Sequence, residues 1–118
     1  MNDYIGLRYG IAYYDIRVGI GVTPTKGSTV VVNYVGWLTD GTQFDSSYEH
    51  GKPFTYVYGK GNVIPGWDLG IASMRVGGKR QIVIRPEYAY GDTGMGGSIT
   101  VPPASIIVLE VELLEVKP

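Results

Sequence analysis

The chain has 118 residues, 44% of them apolar and 18% charged, with a formal net charge of −1, so one closed core is within reach and a disordered chain is excluded. Its lysines and arginines are scattered, which excludes nucleic-acid binding through a concentrated basic face. It has no cysteine and a single histidine, His50, which removes disulfide frameworks, thiolate nucleophiles, cysteine metal sites and two-histidine zinc motifs.

Residues 1–6 read as a loose lead-in, either a native start or what remains behind a trimmed leader or anchor. Location is therefore expected to be cytoplasmic by default and extracytoplasmic if a leader was removed. No apolar run reaches the length of a membrane span, and the basic, apolar and small-residue zones of a signal peptide are missing. Residues 7–15 alternate irregularly around tyrosines and suit an edge strand. Gly19, Gly21 and T-P-T-K-G at 23–27 make a polar turn region. Residues 29–38, rich in Val and Tyr, predict a central strand that ends at the Asp40-Gly41 turn signal. Strands are expected again over 42–45 and 54–58.

A short helix is predicted over 66–73, where Trp67, Ile71 and Met74 fall at i, i+4 and i+7 on one face. R-V-G-G at 75–78 is expected to close it with a left-handed glycine cap. Residues 79–85 read as a strand with Ile82 and Ile84 on one face and Gln81 on the other. A long loop over 86–105 follows. Ile107, Leu109, Val111 and Leu113 then alternate with Val108, Glu110 and Glu112, the signature of a strand with one wet face. The sum is an α+β fold, mostly antiparallel sheet with one short helix against its apolar face. Residues 1–26, the lead-in and edge strand, are expected to join 27–118 in a single domain.

Little in the chain resembles reactive machinery. The glycines between 91 and 98 lack the Lys-Ser/Thr of a phosphate loop, and Gly59-Lys60-Gly61 lacks the acidic partner of a dinucleotide fingerprint. Glu49 and His50 read as solvated loop positions. Asp45, in F-D-S-S, ends a strand with Ser46 and Ser47 able to satisfy its oxygens. An Asp tying down a turn is the ordinary reading; a carboxylate on a pocket wall, oriented by a tyrosine hydroxyl, is the functional one. The aromatics carry more: Tyr34, Phe44, Phe54, Tyr56, Trp67 and Tyr90 come from separate elements. Most of these would simply be core. Trp67 directly follows the V-I-P-G bend at 63–66, and Tyr90 lies in a loop, places suited to lining an apolar concavity.

At this point the chain resembles the FKBP-type peptidyl-prolyl isomerases. The carrying pieces run in order: Y-V-G-W-L at 34–38, D-G-T-Q-F-D-S-S at 40–47, K-P-F at 52–54 and V-I-P-G-W-D-L-G-I at 63–71. V-G-G-K-R at 76–80, P-E-Y-A-Y-G at 86–91, V-P-P-A-S at 101–105 and E-V-E-L-L at 110–114 follow. The resemblance implies a strongly bent antiparallel sheet wrapped around one short helix, with 27–118 as the isomerase domain and the pocket between helix and sheet. By motif position it makes Asp45, Tyr90 and Trp67 the catalytic group, with Trp67 as the floor. It makes Tyr34, Phe44, Phe54, Val63, Ile64, Val101 and Leu109 the substrate-binding surface, and offers the Ile64 N–H to a ligand carbonyl.

Three departures from the family pattern stand out. Leu109 replaces a common phenylalanine, which implies a roomier pocket. His50 stands where Arg is frequent, which implies loss of a supporting ion pair to Asp45. The loop at 94–101 is longer than in the smallest members, displacing Ile99 and Thr100 as pocket equivalents. The implied activity is acceleration of rotation about Xaa-Pro bonds in protein substrates, assisting folding. A non-catalytic, chaperone-like module holding proline segments is the alternative, and a tyrosine-rich carbohydrate-binding domain stands further off. Expected partners are proline-containing polypeptides, with tacrolimus or rapamycin as inhibitors. A monomer is expected, with no metal, cofactor, nucleic acid or membrane.

Overall fold

The computed structural model describes residues 5–6, 11–60, 63–86 and 104–118. Among these residues seven strands, β1 (Ile5–Gly6), β2 (Ile11–Arg17), β3 (Thr29–Leu38), β4 (Gln43–Ser46), β5 (Phe54–Val57), β6 (Lys79–Ile84) and β7 (Ile107–Lys117), surround one helix, α1 (Pro65–Ile71). They form one sheet in the order β1-β2-β6-β7-β3-β4, with β5 also pairing β3, and every pairing is antiparallel.

Period-two alternation decides which face is dry. Val30, Val32 and Tyr34 on β3, Ile82 and Ile84 on β6, and Ile107, Leu109, Val111 and Leu113 on β7 all turn inward and are buried. Each fully buried Leu or Ile contributes about 1.5–3 kcal/mol, so the three-strand centre of the sheet supplies most of the core. At two turns, α1 is too short to persist alone. It is held by setting Trp67, Ile71 and the following Met74 into that face, 6%, 0% and 2% exposed. Gly70 permits the close approach, since a Cβ there would sit 2.7 Å from Ile82 Cδ1.

β3, β4, β5 and β6 fall within a residue of the sequence reading, whereas β1 occupies part of the expected lead-in and its pairing takes β2 off the sheet edge; the helix departs from the reading too. It begins at Pro65, whose locked φ suits the first helical position, and ends at Ile71 rather than Ser73. Its last turn tightens, with the Met74 N–H donating to Ile71 O at 2.9 Å. Gly77 does take the left-handed conformation, φ +93°. It belongs to a separate turn, closed by the Gly78 N–H on Arg75 O at 2.9 Å, and does not cap the helix. β2 continues to Arg17, beyond the expected Asp15, because β6 keeps pairing it through an irregularity between Asp15 and Arg17.

The outer edge of β3 is shared. Residues Thr29 to Val32 pair with β5, and Val35 to Trp37 pair with β4. The gap at Asn33 and Tyr34 is filled by Ser47, 1% exposed. Its Oγ accepts the Tyr34 N–H at 2.9 Å and contacts Asn33 Oδ1 at 3.1 Å, while its own N–H donates to Tyr34 O at 3.0 Å. Backbone groups orphaned by the split are thereby satisfied, and Tyr34 is held at the point where the two outer strands part.

Candidate active site

At that parting the sheet and the start of α1 enclose a hollow of about 290 Å³, lined by Tyr34, Phe44, Asp45, Phe54, Val63, Ile64, Trp67 and Leu109. The local chain explains each wall. Tyr34 and Leu109 project from the dry faces of β3 and β7. Phe44 and Asp45 are consecutive and would normally face opposite sides of a strand. The register steps from Gly36–Asp45 to Trp37–Gln43, leaving Phe44 as an extra residue on β4, and such a bulge re-aims side chains so that both reach the hollow. Val63 and Ile64 lie on the bend before Pro65, so the helix starts at the pocket rim.

The rings meet edge to face or tilted around the indole. Tyr34 and Trp67 centroids are 5.1 Å apart at 87°, Tyr34 and Phe54 5.8 Å at 74°, and Phe54 and Trp67 5.8 Å at 58°. Such pairs add to burial because the positive ring edge meets the negative face. Behind them Tyr56 stacks on Phe54 at 5.4 Å and meets Trp67 at 5.9 Å. Its hydroxyl is buried with no hydrogen-bond partner among the described residues. Burial, then the charge of Asp68, pushes the Tyr56 pKa far above the ordinary tyrosine value, so it stays neutral.

Among the described residues, one charged group lines this apolar space. Asp45 accepts the Tyr34 hydroxyl on Oδ2 at 2.6 Å and the Ser46 N–H on Oδ1 at 2.9 Å. His50 Nε2 lies 2.8 Å from the same Oδ1. Partial burial pushes the Asp45 carboxyl up, but the bonds from Tyr34, His50 and Ser46 outweigh it and leave its pKa below the usual carboxylate value. The Ile64 N–H, at the rim, donates to no acceptor among the described residues. The arrangement can desolvate an apolar ring, hold an anionic carboxylate beside it and donate one backbone hydrogen bond.

A carboxyl with a depressed folded pKa adds stability above its unfolded value of about 3.9 and loses it as pH falls through the folded value. Tyr34→Phe removes one of the lowering bonds while burial persists. The Asp45 titration midpoint, followed by carbon-detected NMR, is therefore expected to rise in the variant. An unchanged midpoint would show that the hydroxyl does not hold the carboxylate.

Eight of the nominated site residues converge on this hollow, whereas Tyr90 and Val101 lie outside the described residues, as does the 94–101 loop. Two expectations need correction. His50 is exposed but keeps contact with Asp45, because imidazole from the β4–β5 loop spans the same gap; the pair is ionic when His50 is protonated. Ser47 serves the split in β3 instead of Asp45, whose local donor is the Ser46 backbone. Sequence reasoning missed Arg80, 3% exposed. Its Nε donates to Asp15 Oδ1 at 2.7 Å, and its Nη1 donates to Gly70 O at 2.9 Å and Ser73 Oγ at 3.0 Å. Its guanidinium lies 3.8 Å over the Tyr13 ring. The signal was present: Arg80 shares the parity of Ile82 and Ile84, a cation on a dry face.

Residues 21–114 match the family model of the FKBP-type peptidyl-prolyl cis-trans isomerases. The chain is 45% identical to an FK506-binding protein of Neisseria meningitidis, over 91% of this chain and 96% of that protein. It is 46% identical to the peptidyl-prolyl cis-trans isomerase Fkbp12 of Drosophila melanogaster, over 92% of this chain and 99% of that protein. The crystal structure of AtFKBP13 superposes with a TM-score of 0.90 at 42% identity, covering 98% of this chain and 99% of that one. The chain belongs to the FKBP-type peptidyl-prolyl cis-trans isomerase family.

Proposed function

We propose that the isomerisation takes place in the aromatic hollow, with the substrate proline ring packed on Trp67. The observation that carries this reading is the combination of an indole floor, crossed aromatic walls and one tethered carboxylate in a single pocket. Rotation about an Xaa-Pro bond must break amide resonance, a barrier of about 18–20 kcal/mol. The two planar isomers differ by only about 0.5–1 kcal/mol, so no nucleophile and no net proton transfer is needed. The site has to bind the twisted amide better than either planar form.

Each part of the pocket supports that preference. Apolar walls strip water from the carbonyl, and water stabilises the polar, resonance-delocalised planar amide. Twisting localises the lone pair on nitrogen and leaves a more ketone-like carbonyl, whose polarised carbon a fixed carboxylate at Asp45 attracts. The Ile64 N–H holds one flanking carbonyl, and by its motif position the Tyr90 hydroxyl is assigned to another. Every tenfold in rate asks about 1.4 kcal/mol of such preferential binding, within reach of a few contacts.

The substrates are polypeptides presenting Xaa-Pro bonds, and macrolides of the FK506 type occupy the same hollow. Exchange NMR on a short Xaa-Pro peptide is expected to show accelerated cis–trans exchange that FK506 or rapamycin abolishes. Peptide peaks that shift without faster exchange would mean binding without catalysis and would overturn the proposal.

A further inference from the structure

Two more hollows follow the aromatic one along the loop between β4 and β5. The nearer, about 200 Å³, is lined by Tyr34, Ser47, His50, Lys52, Pro53 and Phe54, so it lies against the outer sides of two rings that wall the aromatic pocket. The farther, about 260 Å³, shares Ser47, Lys52 and Pro53 with the nearer and runs on to Asn33, Tyr48 and Gly51. Three concavities thus adjoin in series, each sharing walls with the next. A polypeptide substrate cannot end at its proline. Its neighbouring residues must leave the pocket, and extended backbone advances about 3.3 Å per residue.

The charge along this track is one-sided. Lys52 helps to line both outer hollows, is exposed and forms no ion pair among the described residues. The nearby carboxylates are hydrogen-bonded, Asp45 to Tyr34 and His50 and Glu49 to the Gln43 side chain, and neither lines an outer hollow. Among the described residues, Lys52 is the one permanently charged side chain on the walls of the two outer hollows, with His50 lining the nearer one.

We propose that the loop between β4 and β5 is a second contact surface for the substrate chain, and that Lys52 selects substrates with a carboxylate side chain within about three residues of the isomerising proline. This rests on the aromatic hollow being the seat of the proline. The surrounding wall is neutral or cationic, so a Lys or Arg at the same substrate position meets repulsion.

Exchange NMR on matched peptides tests it. All share one Ala-Pro centre, with Glu, Gln or Lys placed singly at each of the three positions on either side. On one side, kcat/KM for a Glu peptide is expected to exceed that for its Lys counterpart by about fivefold at low salt, the scale of exposed ion pairs. That ratio should shrink as ionic strength rises. Lys52→Gln should bring it close to unity, and Lys52→Glu should invert it. Lys117→Glu, the same charge change beside the start of β3, should keep the wild-type ratio. Discrimination of less than about twofold at every position, or a ratio that Lys52→Glu leaves unchanged, overturns the proposal. If the neutral Gln peptide is still accelerated in that event, the proline pocket stands and only the flanking surface falls. If the wild-type protein accelerates none of the peptides, both fall together.

Discussion

Trp67→Ala is expected to lower kcat/KM for a neutral Xaa-Pro peptide by about a hundredfold, equivalent to about 2.7 kcal/mol of lost transition-state binding. The indole is 94% out of solvent by its 6% exposure, yet it lines the hollow and contacts Tyr34, Phe54 and Tyr56. Truncation removes the surface on which the proline ring packs and lets water into a site that works by excluding it. It also costs stability, about 3–5 kcal/mol for a buried Trp to Ala change. Activity must therefore be measured at a temperature where circular dichroism shows the variant folded, and normalised to the folded fraction. Trp67→Phe, which keeps a ring in place, should retain most of the stability and lose less activity. A folded Trp67→Ala protein that turns over the peptide at the wild-type rate would sink the pocket assignment.

Arg80→Ala is expected to cost about 3–5 kcal/mol of folding stability, the scale for removing one partner of a buried ion pair. The loss has several sources. Asp15, whose side chain is 28% exposed, is left without its guanidinium, and Gly70 O and Ser73 Oγ lose a charged donor. The stacking on Tyr13 goes with it. Because Gly70 lies in the last turn of α1 and Ser73 just beyond it, the same change loosens the element that carries Trp67, so kcat/KM should fall as well. Urea unfolding of the single variant and of Arg80→Met/Asp15→Leu separates the causes. The double variant leaves no unpaired charge and should recover a substantial part of the loss. Equal destabilisation of both would show that the pair itself is not what matters. A single-variant loss below about 1 kcal/mol would mean the guanidinium behaves as a surface group.

Substrate recognition on this account is divided between a dry pocket that catalyses and a charged loop beside it that chooses. The division follows from chemistry: the twisted amide is neutral and is best stabilised where water is absent, while long-range charge selects chains before they dock. His50 stands at the boundary, bonded to a pocket carboxylate on one side and lining the neighbouring hollow on the other.

By itself the sequence determined the local periodicities and the order of the motifs. The alternation over residues 29–38 and 107–113 gives dry and wet faces whatever the partner strand, and the spacing of Trp67, Ile71 and Met74 marks one face of a helix. The ordered motifs reached eight of the wall residues found around the hollow, since a residue's parity on a strand is a one-dimensional property. What only the tertiary structure decided involves partners far apart in the chain. Asp15 with Arg80, separated by 65 positions, depends on β2 lying against β6. Ser47 filling the break in β3, and the three hollows adjoining along one loop, depend on how β4 and β5 divide an edge. The helix ended at Ile71, not at the glycines downstream, because burial of Ile71 and Met74 against the sheet governs that end more strongly than local cap preference. Periodicity is written into neighbours, whereas the coupling of distant charges and the shape of a cavity exist only once the sheet has closed.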